Sequence, residues 1–124
     1  MQMLSLLNPL QGLLTYFQKD RHVRDDKKDA ALLAMKKALI ESRKYVEFSE
    51  GKNCFDREKE YELAQLWADA AVKVRYASED LAMRLNDKSA FWSDQFKWSR
   101  KEILERRIDF DSVEASINDL LQHQ

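Results

Sequence analysis

The clearest pattern in the chain is a stripe of apolar residues, Leu63, Trp67, Ala70, Val74, Ala77, Leu81 and Leu85, at steps of four, three, four, three, four and four. Such steps keep side chains on one face of an α-helix, so the stripe predicts one helix of about six turns. Asp56 is a natural N-cap for it, and Glu58 and Glu60 follow in the turn where negative charge suits the helix dipole. The opposite face of this helix carries Tyr61, Val72, Tyr76 and Met83. A helix with two apolar faces either lies at the centre of a bundle or offers one face to a partner.

The preceding helix is predicted from about Asp29 to Glu50 and closes at Gly51, the residue type that best takes a left-handed cap. Leu32, Met35, Leu39 and Val46 hold heptad spacing along it, with Ser42 in the remaining position. Leu33 and Ile40 flank that seam on one side, and Ala31, Ala34, Ala38 and Tyr45 on the other. The buried arc is therefore wider than a two-stranded coiled coil needs, and a bundle of several helices fits it. Before it, the polar run KDRHVRDDKKD reads as a hinge or as solvated first turns.

At the N-terminus Asn8 and Pro9 read as a helix start, followed by an apolar arc of Leu10, Leu13, Leu14 and Phe17. The first eighteen residues carry no charge, yet they lack the basic residues and cleavage site of a signal peptide. Asn8, Pro9, Gln11 and Gly12 also spoil them as a membrane-spanning helix. Asn86 and Asp87 interrupt the long stripe, and a fourth helix is predicted from a cap at Ser89 or Ser93 to Arg107. A short last helix capped by Asp109 or Asp111 places Val113, Ile117, Leu120 and Leu121 on one side. The expected fold is all-α: a single antiparallel bundle of three long helices, with shorter helices at the two ends, over residues 1–124.

Composition agrees, because 44% hydrophobic and 35% charged residues with only two Gly and one Pro suit long helices. A net charge of -1 gives no global attraction to nucleic acid or anionic lipid. One cysteine excludes an internal disulfide and a multi-cysteine zinc site, and two glycines exclude a P-loop or dinucleotide fingerprint.

Several short motifs invite a chemical reading. Asp25, Asp26 and Asp29 match the DDxxD pattern of diphosphate-metal sites, but no second metal motif accompanies them and a solvated face is expected. His22 and His123 are too isolated for a dimetal centre, and Cys54 has no histidine near it in sequence to act as a base. Lys97, Arg100 and Lys101 surround Trp98, with Arg106 and Arg107 beyond, an arrangement that suits single-stranded nucleic acid. Glu102 and Glu105 dilute that patch. Arg43, beside the Leu39 and Val46 seam, is expected to snorkel or to pair with a carboxylate of the third helix.

The segment from Arg57 to Trp98, with KEYELAQLWADAAVKVR followed by LAMRLNDKSAFWSD, resembles a group of small bacterial all-helical domains to which no activity is attached. The resemblance implies a bacterial, cytoplasmic bundle, brings no catalytic residue, and favours Ser93 with Asp94 as the start of the fourth helix. The aromatic stretch FWSDQFKW then divides: Trp92 and Phe96 are expected in the core, and Trp98 on a partner-facing surface.

The resulting expectation is a non-enzymatic domain that uses no cofactor and no metal. Its partner is another protein or its own copy, bound through Tyr61, Val72, Tyr76, Met83 and Trp98. Two alternatives are a helical regulator with a small-ligand pocket beside Trp67 or Trp92, and the single-stranded nucleic-acid reading.

Overall fold

The computed structural model of the chain describes residues 19–52 and 55–122, and the side chains of 25–51 and 55–122. The expected N-terminal helix from Asn8, Cys54, His123 and the side chain of His22 lie outside the described residues.

Helix α1 runs from Lys19 to Lys52 and joins the polar run and the heptad seam into 34 residues. Ala31, Leu32, Met35, Ala38, Leu39, Ser42, Tyr45 and Ser49 are buried along it. The wide arc is thus occupied on the alanine side, whereas Leu33 and Ile40 on the other flank stay exposed. Gly51 does not end the helix as expected: it lies within the last turn, and no described glycine adopts positive φ.

Helix α2 spans Arg57–Val74, and Asp56 caps it by accepting from the Lys59 amide at 3.1 Å. The six-turn helix of the sequence reading is in fact two helices. After Val74 the amides of Ala77 and Ser78 both bond to its carbonyl, at 2.9 and 3.0 Å. Ser78 then caps α3, Glu79–Ser93, by accepting from Leu81 N at 3.0 Å. Ser78 followed by Glu79 and Asp80 is a helix start in its own right. The step of seven from Val74 to Leu81 keeps the stripe in phase, so the turn folds both halves onto one core. Antiparallel register between α2 and α3 is fixed by the Ser89 hydroxyl, which donates 2.7 Å to the Ala64 carbonyl.

The expected fourth helix is also corrected. Ser89 lies inside α3 and Ser93 ends it. A single 3-10 turn follows at Gln95–Lys97, and the true cap is Ser99, which opens the short α4, Arg100–Glu105. Ser99 and Glu102 form a reciprocal capping box at 3.1 and 3.0 Å. Arg107, with φ of 57°, turns the chain in the left-handed region. Asp109 then accepts from Ser112 N at 3.1 Å and caps α5, Phe110–Gln122.

The four helices of 13 residues or more pack as an antiparallel all-α bundle. Trp67 and Trp92 are core residues, at 0% and 1% exposure. Phe96 is not: it is 69% exposed, because the 3-10 turn carries it away from α3, and its ring stands edge-on to Phe55 at 5.3 Å.

Candidate functional site

The outer face of the α2–α3 hairpin carries a second seam in addition to the one that faces the core. Tyr61, Gln65, Ala68 and Val72 form its row on α2, at steps of four, three and four, and Arg75 follows as the C-cap. Glu79, Met83, Asn86 and Ala90 form the row on α3, at steps of four, three and four, and Asp94 follows the helix. Val72 is 66% exposed and Met83 69%. Between them lies an open groove of about 520 Å³ lined by Ala68, Ala71 and Ala82, with Arg75, Glu79, Asn86 and Asp87 also on its wall. Small residues beside larger apolar ones are what a docking helix requires.

Of the five residues singled out in the sequence, Val72 and Met83 line this groove. They do so from two helices, not along one, because the turn at 75–77 separates them. Tyr61 extends the α2 row under the guanidinium of Arg57, 4.8 Å from its ring centre. Trp98 lines an adjoining cleft of about 490 Å³ with Ala90, Asp94 and Arg106. It packs edge-on to Phe91 at 6.4 Å and under Arg106 at 5.9 Å. Arg106 also pairs with Asp87 at 3.1 Å, so one salt bridge links groove and cleft. Tyr76 stands apart in the turn, where burial and the carboxylates of Asp29 and Asp25 push its phenol up.

Three buried charges were not foreseen. Glu60, at 0% exposure, accepts from the Tyr45 hydroxyl, from Arg57, and from Gln95 at 2.8 Å. It ties α1, α2 and the 3-10 turn together at one end of the bundle. Arg84 of α3 reaches the Arg107 carbonyl at 3.2 and 3.0 Å, the Ser112 carbonyl at 3.1 Å and the Ser116 hydroxyl at 2.7 Å. Lys88 donates 2.7 Å to the Ile108 carbonyl, beneath the rings of Phe110, Phe91 and Trp67 at 4.3, 5.2 and 5.9 Å. These two cations hold the chain between α4 and α5. Burial pulls the Lys88 ammonium down to about 8, against the opposing charge of Asp109. Lys88 lines neither the groove nor the Trp98 cleft. The sequence signal was spacing: Lys88 fills the step between Leu85 and Trp92, and Glu60 lies one turn before Leu63 and Ala64.

The remaining motifs are structural or empty among the described residues. Arg43 pairs with Glu114 of α5 at 3.3 and 3.0 Å, and not with the third helix, and stacks 5.5 Å over Phe110. No group of three His, Cys, Asp or Glu side chains among the described residues is placed to hold a metal. Trp67 gives its indole N–H to Ser42 at 2.8 Å and, like Trp92, lines neither groove nor cleft. Lys97, Arg100 and Lys101 are exposed. No helix among the described residues is long and apolar enough to cross a membrane. No protein-family model, curated protein or solved structure matches the chain.

Proposed function

We propose that the chain is a non-enzymatic helical interaction domain that binds protein through the outer face of α2–α3. The observation that carries this reading is the groove between Val72 and Met83, two apolar side chains about two-thirds exposed beside three alanines. A folded chain gains nothing by leaving such a row in water, whereas an amphipathic helix laid along it would bury both rims. The three buried charges support the reading indirectly, since each is satisfied internally and serves to hold the helices in register. A bacterial cytoplasm is the setting we assign, which a lone cysteine suits.

Photo-cross-linking tests the proposal. A photoreactive amino acid at position 83 should give a discrete protein adduct in native host cells, and the same label at position 40 should give none. Ile40 is 56% exposed on α1, on the far side of α2 from the groove, so it reports non-specific capture. Equal capture at both positions, or none at position 83, would overturn the reading.

A further inference from the structure

We propose that the end of the bundle carrying Phe55 and Phe96 binds single-stranded nucleic acid, with a base stacked on Phe96 and the adjoining phosphates held by Lys97, Arg100 and Lys101. This site shares no residue with the lining of the α2–α3 groove.

Presentation of the two rings is the first support. Phe96 is 69% exposed and Phe55 52%, and their rings meet edge-on, with centres 5.3 Å apart and planes at 86°. Such a contact uses one face of one ring and leaves the others to a ligand. Both rings are also held from behind. Gln95, next to Phe96, donates 2.8 Å to the buried Glu60 carboxylate, and the Tyr45 hydroxyl donates to the same oxygen. Asp56, next to Phe55, gives its amide to that hydroxyl at 2.9 Å. One buried network thus fixes both segments that carry the rings, so neither has to be ordered when a base arrives.

Charge is the second support. From Gln95 to Lys101 the chain reads QFKWSRK, with three cations and no acid. Lys97, Arg100 and Lys101 are all exposed, and none of them pairs with a carboxylate among the described residues. Asp94 and Glu102 close the run at its two ends, and Asp56 and Glu58 follow Phe55, so the positive surface is small and suits a contact of a few nucleotides. Rings interleaved with unpaired cations are the combination that single strands use: the ring takes the face of any base, and the cations take phosphates beside it. A protein ligand fits this end less well. Two rings offer far less apolar area than the roughly 800 Å² per partner of an ordinary protein interface, whereas a base needs only one ring face.

Fluorescence anisotropy with a labelled oligouridylate of about twelve nucleotides tests the site. The full chain should bind it at low salt with a Kd between about 1 and 100 μM, and the log of the affinity should fall against the log of salt with a slope of about -2, the value for three phosphates on a single strand. Phe96→Ala should weaken binding about tenfold, and Phe96→Trp, which keeps a stacking ring, should restore it. Replacing Lys97, Arg100 and Lys101 together by Gln should bring the slope close to zero. All four side chains project from the surface, and circular dichroism of each variant confirms that the fold is kept. Binding weaker than about 100 μM would overturn the proposal. So would a Phe96→Ala chain that binds as tightly as the parent, or a duplex of equal length bound as well as the single strand, since either leaves no role for stacking. A photoreactive residue at position 96 that captures protein and no nucleic acid in native host cells would also overturn it, in favour of a protein ligand at this end.

Discussion

Trp67→Ala should lower the free energy of unfolding by about 3–5 kcal/mol, the largest single effect expected in this chain. The indole is wholly buried in α2, packs where the core faces of α1 and α3 meet it, and gives its N–H to Ser42 at 2.8 Å. Removing it opens a cavity that three helices cannot close together, because their spacing is held elsewhere by Glu60, Arg84 and Lys88. It also leaves the Ser42 hydroxyl buried without its donor, at a cost of about 1–3 kcal/mol. Urea unfolding followed by circular dichroism measures the change. A companion pair separates packing from bonding: Trp67→Phe alone strands Ser42, whereas Trp67→Phe with Ser42→Ala removes both polar partners and should regain part of the loss. A Trp67→Ala chain within about 1 kcal/mol of the parent would show that Trp67 is not the keystone of the core.

Stability of the parent chain should rise between pH 8 and pH 10, where most proteins gain nothing. The cause is Lys88, whose ammonium is pulled down from the usual 10.5 to about 8 by burial, with Asp109 opposing. Below pH 8 both the folded and the unfolded chain carry the proton, and the fold bears the full cost of a buried charge. Above pH 8 the folded chain sheds the proton while the unfolded chain still holds it, so stability increases, by at most about 1.4 kcal/mol per pH unit. Above pH 10 the sign reverses at Tyr45, because burial and the bond to Glu60 hold its phenol above the usual range and favour the folded state only until the unfolded tyrosine ionises. The upper limit of the measurement is set there. Lys88→Met keeps the length of the side chain and should flatten the profile. A parent profile already flat from pH 8 to pH 10 would mean that the rings of Phe110, Phe91 and Trp67 and the Ile108 carbonyl fully offset the desolvation of the cation.

Periodicity made the all-α class and most core positions legible, since it depends only on which face a residue occupies. Leu63, Trp67, Ala70, Val74, Leu81 and Leu85 all lie in the core as their spacing requires. That same regularity concealed the hairpin: a stripe broken by a turn that keeps the phase looks identical to an unbroken one. The turn was written in capping chemistry instead, in Ser78 with its following acids, as α4 was in Ser99 and Glu102. Phe96 was assigned to the core by assuming that one helix carried it and Trp92; the 3-10 turn between them removes that premise. Glu60, Arg84 and Lys88 escaped for the opposite reason. A charged residue at a core step reads as a gap in the pattern, and only the partners brought by other helices show that it is filled.

The outer face was half legible. Exposed apolar residues about half a turn from the stripe singled out Val72 and Met83, and the fold does place them on one groove, but across two helices. Their common groove needed the antiparallel register of α2 and α3, which Ser89 and Ala64 fix and no local pattern encodes.

Protection of Met83 from oxidation tests the central claim most directly. Hydroxyl-radical labelling of the dilute purified chain should oxidise Met83 readily, as its 69% exposure requires. In native host cells the same sulfur should be protected several-fold, while Ile40, also exposed, is labelled equally in both settings. Equal oxidation of Met83 in the two settings would contradict the account, because it would leave the α2–α3 face bare where its partner is present.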